Sequence, residues 1–527
     1  MMNIVFNKKT LQVMSLLDSD VSDSSQNILK SMFPGNFNDL NLWNIHGKIN
    51  RPPIGLTVKM DVNNNPHSLL FRGKEIYIST REDQEKILKQ NERDKEKKIE
   101  KILPRNLRAA IGSEIIRLWI DSPYTHADIV KSLRDFNFFS DNRIIPVRWG
   151  GTFVDAGGYG NMNRSIIFRL HNYHILAKAE IIPSLPQISS TGQYYIKKHS
   201  TLNYRRLGHC IKVYGFGPLS HPKDSSKTIF FTMMETETLH PTFRDLCNQY
   251  SDEVWVPSMH NKKLFESGGI RKPIYVMPLG IDEIIYRGTE TIAPKNLNNM
   301  VLCDILGKPF SKGINSFRFF TLFGWSFRKG IDVLIKSFVR AFNSKDDVAL
   351  IIFSNHVGPD IVLRDTLKYA SSIRGSDYPQ ILFIPGVIPE KEMPSLYKIG
   401  HAFIHTSRGE GFSLPQIEAS ACGLPIISCN HTGMSEYLRE DNSFVIRTEE
   451  KEVCHPEMHW ISGYYHGQLF PKLGEDQIKQ AVNHMRFVVN HYEEAVNRNK
   501  ILKKEVFQKY TWDKTAERIS YRIKQIA

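Results

Sequence analysis

The chain has no CxxC pair and no His/Cys cluster at zinc-ligand spacing. Its six cysteines, Cys210, Cys247, Cys303, Cys422, Cys429 and Cys454, are scattered singly. A disulfide-framed miniprotein is excluded, and the six read as buried thiols of a reducing compartment. Nor is there an apolar run near the ~18–20 residues a membrane-spanning helix needs. The opening stretch is broken by Lys8 and Lys9 and then turns acidic, which denies it the apolar core of a signal peptide. Zinc fingers, basic zippers and aromatic-and-basic RNA motifs are missing too, so no nucleic-acid partner is expected. These absences predict a cytoplasmic protein, with peripheral contact at a membrane surface left open.

What is present is ordinary globular composition: 41% hydrophobic and 24% charged residues over 527 positions, enough for two sizeable cores. Lys and Arg number 69 against 55 Asp and Glu, a net charge of +14. That balance admits phosphorylated small molecules or an anionic surface as partners without choosing between them. Residues 1–139 read as an N-terminal extension of unknown role. Within it, Ile54–Val62 and Ser68–Ser79 flank Asn63-Asn64-Asn65-Pro66 and predict a hairpin. Glu82–Ile102 carries Glu and Lys at i, i+4 spacing and predicts a solvated helix. Asp18-Ser19-Asp20 resembles a metal-binding DxD but follows no apolar strand and is read as chance.

From about residue 140 short apolar runs alternate with helical periodicity. Ile144–Trp149 is a strand candidate, followed by a glycine loop and a helical stretch over Asn163–Leu176, and Thr228–Met234, Glu253–Pro257 and Pro273–Pro278 are further short apolar segments. After a linker, Ile284–Ser316, the pattern restarts with strands Arg318–Phe323, Val348–Ser354, Gln380–Pro385, Ala402–His405 and Pro425–Ser428. Helices are expected over Asp332–Phe342 and through Glu418. The fold class is therefore α/β: two doubly wound Rossmann-like domains, 140–290 and 291–500, facing across a cleft. Ligands in such sheets sit outside the carboxyl ends of the strands.

The stretch from Ser407 to Pro425 carries most of the chemistry. Gly409 and Gly411 permit a tight loop just after a strand. Ser413 and Gln416 fit an S-x-x-Q capping box, with Pro415 in the first turn and Gly423 stopping the helix. A glycine loop running into a helix N-terminus is an anion site suited to a diphosphate. Glu410 in the loop and Glu418 in the helix are too far apart to share one proton, so they suit two ends of one ligand. A carboxylate can also accept two hydrogen bonds side by side, as vicinal sugar hydroxyls offer. A second cationic element, Phe323 to Gly330, follows another strand and aims Lys329 at the same crevice, with Arg328 beside it or facing solvent.

Glu410 and Glu418 form the E-x7-E arrangement of the retaining nucleotide-sugar glycosyltransferases of glycosyltransferase family 4, whose fold is GT-B. The resemblance extends over most of 143–527. Ala156–Gly160 with Arg164 resembles the family's N-terminal glycine loop. Met234–Glu237, Asp252–Ser258 and Val276–Asp282 resemble a bacterial-type branch. Tyr510–Ala516 resembles the start of its closing helix, so 501–527 is expected to cross back to the N-terminal domain.

The resemblance implies an acceptor-side domain over 140–290 and a donor domain over 291–500. Glu410 would contact the transferred sugar and Glu418 the ribose. Lys329, with Arg328, would neutralise the diphosphate. The amides of Gly411, Phe412, Ser413 and Leu414 would hold donor sugar and phosphate, while Gly157 and Gly158 close over it. Catalytic roles fall to Glu410 and Lys329. No metal or cofactor is implied, the nucleotide-sugar being a co-substrate. The acceptor would be a glycan, a lipid or a small molecule, and the transferred sugar a hexose with its configuration retained.

Two departures stand out. Relatives carry a His–Asp or His–Glu pair where this chain has Met234-Glu235, so no catalytic histidine transfers; Glu235 and Glu237 face the acceptor or cap structure. Relatives also have Arg soon after the glycine where Gly324-Trp325 stands here. Arg408 could also reach the cleft, its role open, and His171, His209, His221 and His240 read as structural. Glycoside hydrolysis and a catalytically silent nucleotide-sugar sensor or scaffold remain as other readings.

Overall fold

A computed structural model describes residues 145–184, 210–220, 224–289, 313–355, 359–385 and 388–527, together with strand segments before residue 78 and a few positions between these blocks. Glu82–Ile102, Asp18-Ser19-Asp20, His209 and His221 lie outside the described residues. The chain divides into two compact units, one made of 1–148, 170–180 and 190–210, the other of 149–169, 181–189 and 211–527.

In the first unit β1 (Met2–Phe6) pairs antiparallel with β2 (Leu11–Ser15). β3 (Leu56–Met60) pairs antiparallel with β4 (Pro66–Phe71), which is the hairpin expected around Asn63-Asn64-Asn65-Pro66. Its second run is two strands rather than one, because β5 (Lys74–Tyr77) folds back antiparallel on β4. The unit also holds the start of β6 (Ile145–Gly151). α1 (Gly158–Leu170) then leads to β7 (Ile175–Ile181). The helix expected over Asn163–Leu176 thus starts earlier and stops earlier. His174, at φ 64°, turns the chain into a strand.

The second unit contains two parallel sheets. β8 (Ile211–Gly215), β9 (Lys227–Phe231), α2 (Pro241–Tyr250), β10 (Glu253–Val256), α3 (Met259–Ser267) and β11 (Ile274–Val276) form the first. Its strands lie in the order β11-β10-β9-β8, every pair parallel. Parallel neighbours need crossovers, which α2 and α3 supply. Each starts at its own cap: the His240 ring accepts from the Thr242 N–H, and Ser258 Oγ from the Asn261 N–H.

The expected linker holds two elements, α4 (Glu283–Tyr286) and β12 (Cys303–Asp304). Both are too short to show periodicity. Asp282 starts α4 by accepting from the N–H groups of Ile284 and Ile285.

The second sheet follows as β13 (Phe317–Gly324), α5 (Ile331–Ala341), β14 (Val348–Asn355), α6 (Pro359–Arg374), β15 (Gln380–Pro385), α7 (Met393–Tyr397), β16 (Ala402–His405), α8 (Leu414–Ala421), β17 (Ile426–Cys429) and β18 (Phe444–Ile446). Strand order is β12-β15-β14-β13-β16-β17-β18, with only the edge strand β12 antiparallel. Ala349 to Phe353 in β14 are all buried, as a central strand covered on both faces requires. On α5, Ile331, Leu334, Ile335 and Phe338 make the apolar stripe that seats the helix on the sheet.

Beyond β18 comes an antiparallel hairpin of β19 (Lys451–Val453) and β20 (Leu469–Pro471). Cys454, Met458, Tyr465 and Phe470 from this segment are buried in one cluster with Phe230, Met234, Phe243 and Val254 of the first sheet's surroundings. α9 (Glu475–Asn490), α10 (Tyr492–Lys509) and α11 (Trp512–Ile526) close the chain. α11 meets residues of the first sheet and the loop after it. Asp513 pairs with Arg169 at 3.2 Å, Arg522 Nε donates to Glu253 at 3.0 Å, and Thr515 Oγ1 donates to the Pro278 carbonyl at 2.6 Å. The break before it falls at Tyr510-Thr511, where Thr511 caps the helix by accepting from the Lys514 N–H. No described helix is long and apolar enough to cross a membrane.

Candidate active site

Two turns at the carboxyl ends of β13 and β16 build the site. The first, Phe327–Lys329, is a single 3-10 turn closed by Gly330 at φ 68°. A Cβ on Gly330 would stand 1.8 Å from the Thr406 carbonyl oxygen, so backbone freedom and close approach both call for glycine. The second turn, Thr406–Ser413, lies against the first. The Arg408 N–H donates to the Arg328 carbonyl at 2.7 Å, and Thr406 Oγ1 to that of Gly330 at 2.9 Å.

Arg408, whose role the sequence left open, clamps the pair. Its guanidinium makes a two-pronged bond to Asp332 at 2.8 and 3.0 Å and lies 4.0 Å from the Phe327 ring centre. A planar fork matches a carboxylate in a way an ammonium cannot. Arg408 is thus occupied by Asp332 rather than aimed at a ligand.

The clamp brings Lys329, Arg328 and Glu410 together. Lys329 Nζ donates to Glu410 Oε1 at 2.5 Å, and Arg328 Nη1 stands 3.3 Å from Oε2. Arg328 also donates to the Gly409 carbonyl at 2.5 Å, so it faces the site and not solvent. His405, at the last position of β16 and fully buried, points Nε2 at Oε1 from 3.1 Å. Main-chain bonds fix Glu410 itself: its N–H donates to Thr432 Oγ1 at 3.0 Å, and its carbonyl accepts from the Gly433 N–H at 2.8 Å. Burial pushes the Glu410 pKa up, but Lys329, Arg328 and His405 outweigh it and hold the carboxyl well below the usual range. Burial lowers Lys329, against the pull of Glu410.

At the start of α8 the expected capping box is not made. Ser413 sits at φ 75° and its hydroxyl caps nothing. Gln416 instead donates to Ser428 Oγ at 2.5 Å and accepts from the Tyr437 hydroxyl at 2.5 Å. A cap needs the extended backbone, whereas this loop enters the helix through a left-handed residue. Among the described residues no acceptor meets the N–H groups of Gly411 and Phe412 or the first helical N–H, of Leu414. Free donors at a helix start with a positive dipole end are what an anion needs. Glu418, one turn further and partly buried, accepts from the Tyr397 hydroxyl at 2.7 Å through Oε2. Burial, aided by Glu390 and opposed by Tyr397, raises it to about 7.

Gly157 and Gly158 reach this region through their neighbours. Asp155 accepts from the Gly157 N–H at 2.9 Å, Gly158 opens α1, and Arg164 donates to the carbonyls of Phe153 and Asp155, both at 2.7 Å. The next residue, Tyr159, accepts from the Met233 N–H at 3.2 Å, and Met233 packs on Gly411 closely enough that a Cβ there would lie 2.4 Å from its Cγ. Glu235 accepts from the Tyr465 hydroxyl at 2.8 Å, while its carbonyl oxygen touches Gly409. Glu237 pairs with Lys451 at 2.9 Å. Trp325 is buried and donates to Asp365 at 3.1 Å. Among the described residues no group of three His, Cys, Asp or Glu could hold a metal. All six cysteines are free, and Cys303 is half-buried rather than buried.

Sequence reasoning missed His405, Tyr397 and Tyr465. Tyr397 and Tyr465 reach a site carboxylate only through the fold, across 21 and 230 positions, while His405 stands five positions before Glu410 at the end of β16. The one available signal was His405 ending an otherwise apolar strand.

A model of the family described as glycosyl transferases group 1 matches residues 317–458. O-antigen chain mannosyltransferase B of Escherichia coli is 39% identical over 51 residues, 10% of this chain and 13% of that protein. A phosphatidylinositol N-acetylglucosaminyltransferase subunit of Homo sapiens is 27% identical over 128 residues, 24% of this chain and 25% of that one. The matches span 13% to 35% of the lengths of the curated relatives. Sucrose-phosphate synthase from Thermosynechococcus elongatus superposes with a TM-score of 0.52 at 13% identity, over 72% of this chain and 99% of that one. Anabaena HepE, solved with UDP and glucose, gives 0.50 at 13% identity, over 72% of this chain and all of that one. Identities this low speak for the fold, which is GT-B. The family match, running from β13 into the hairpin after β18, makes that part of the chain similar to the group 1 glycosyl transferases, on a two-sheet fold of the GT-B kind.

Proposed function

We propose that the chain transfers a hexose from a nucleotide-sugar donor to an acceptor hydroxyl of a glycan, lipid or small molecule. One observation carries the reading: a buried carboxylate and two cations meet beside a helix start with free N–H groups. Breaking a sugar–phosphate bond builds negative charge on the leaving diphosphate, and fixed cations and N–H dipoles stabilise it. In this reading Lys329 and Arg328, with the amides from Gly411 to Leu414, receive the diphosphate. Glu410 faces the transferred sugar, and Glu418 holds the ribose. Gly157 and Gly158 cover the phosphates from the first-sheet side. The relatives named mannosyltransferase and N-acetylglucosaminyltransferase, and the neighbour solved with UDP and glucose, support a nucleotide-sugar donor.

The reading includes an acceptor side on the first sheet and a donor side on the second. It also includes retained anomeric configuration, no metal requirement and a cytoplasmic site with peripheral membrane contact. Thermal-shift screening against UDP-, GDP- and ADP-sugars is expected to pick out one donor, because a ligand of the folded state stabilises it. Release of its nucleoside diphosphate should then require an acceptor and persist in EDTA, with product NMR reporting retention. Release without acceptor would instead mark a hydrolase, and binding without turnover a sensor.

Glu418 adds a pH dependence. Ribose hydroxyls donate to a carboxylate, so binding needs the ionised form, which is half present near pH 7. Affinity for the nucleoside diphosphate is expected to fall as pH drops below about 7, approaching ~10-fold per unit. Calorimetry between pH 8.5 and 5.5 checks this, and a Glu418→Gln variant should flatten the profile.

A further inference from the structure

We propose that His405 is a positioning residue, the hydrogen-bond partner that keeps Glu410 in place when Lys329 turns to the diphosphate. The inference rests on the glycosyltransferase reading and deepens it. Lys329 and His405 share one carboxylate oxygen, at 2.5 and 3.1 Å, while Arg328 stands 3.3 Å from the other and also serves the Gly409 carbonyl. An ammonium on a flexible stem is drawn toward a diphosphate by charge. His405 cannot follow. It is 0% exposed and held between the Phe403 and Phe323 rings, each 6.2 Å away centre to centre.

The chemistry of the ring fits this task. An ionised carboxylate only accepts hydrogen bonds, so the proton must lie on Nε2. Nδ1 is then a lone-pair acceptor, and it has no hydrogen-bond partner among the described residues. Burial, against the pull of Glu410, lowers the pKa of His405 and keeps the ring neutral. A buried nitrogen without a partner is unfavourable, and leucine or phenylalanine would fill an aromatic cage without it. Packing therefore gives no reason for histidine here; the bond to Glu410 does. A neutral donor also orients the carboxylate without adding charge to a site that Lys329 and Arg328 already make positive.

The test compares His405→Leu, which keeps the buried bulk, with His405→Gln, which keeps an N–H donor. With the donor and acceptor that support wild-type turnover, His405→Leu is expected to lower kcat about 10- to 100-fold with the donor KM within about twofold, since a misplaced group acts mainly on the chemical step. His405→Gln should recover part of the loss. Carboxyl carbon NMR of Glu410 should show its pKa rising in His405→Leu, and wild-type ring nitrogen shifts should report a neutral Nε2–H form. Unchanged kcat and unchanged Glu410 titration in a folded His405→Leu would overturn the proposal. Absence of wild-type sugar transfer with every donor would overturn the glycosyltransferase reading instead, and the Glu410 titration would still decide the role of His405.

Discussion

Glu410→Gln is expected to reduce kcat about 10²- to 10³-fold, the usual loss when a charge-stabilising group leaves a transition state. The same variant should bind the free nucleoside diphosphate more tightly than the wild type. Lys329 and Arg328 are engaged by the carboxylate at 2.5 and 3.3 Å. Removing that negative charge frees both cations for phosphate. The opposite movement of turnover and nucleotide affinity separates this account from general damage, which would weaken both. Glutamine is preferred to alanine because it fills the space and can still accept from Lys329. Steady-state kinetics with calorimetry for the nucleotide decides the matter. Turnover at the wild-type rate would remove Glu410 from the site.

The second large effect is expected at a residue that touches no ligand. Arg408→Ala should lower stability by about 3–5 kcal/mol, the range for breaking a buried ion pair from one side. Asp332, 13% exposed, would lose its two-pronged partner, and Phe327 the guanidinium stacked on it. Replacing Arg408 and Asp332 together by leucine and asparagine should recover most of that loss, since the uncompensated charge is gone. Denaturant melts of the three proteins measure it. Activity should fall in both variants, because the clamp aligns the turn carrying Lys329 with the turn carrying Glu410. A single variant within 1 kcal/mol of wild type would mean that the main-chain bonds between the turns suffice.

Much of the second sheet was legible in the sequence. Val348–Ser354, Gln380–Pro385 and Ala402–His405 are continuous apolar runs, as strands buried on both faces must be, and they match β14, β15 and β16 within a residue. β8 escaped because Lys212 interrupts its run; in the fold that lysine is buried and lies 3.6 Å from Asp224. The glycine turns were legible because their requirement is local: Gly330 sits at φ 68° and against the Thr406 carbonyl. The capping box misled because Ser413 has the right chemistry in the wrong backbone region. Tyr465 acts across 230 positions, a separation that no local pattern encodes, whereas His405 lies only five positions before Glu410 and carries no motif of its own.

The hairpin after β18 changes what a domain means for this chain. Phe470 and Tyr465 share a buried cluster with Phe230 and Phe243, more than two hundred positions earlier in the chain. Arg522 likewise covers Glu253 from the last helix. The first sheet's hydrophobic interior is therefore incomplete until the ribosome has passed residue 470. Contacts this distant in sequence form late and slowly. Cutting the chain in the 290s would release two fragments, the earlier with an open core and the later with its apolar covering stranded in water. The first sheet's interior is thus finished by residues that follow the last strand of the second.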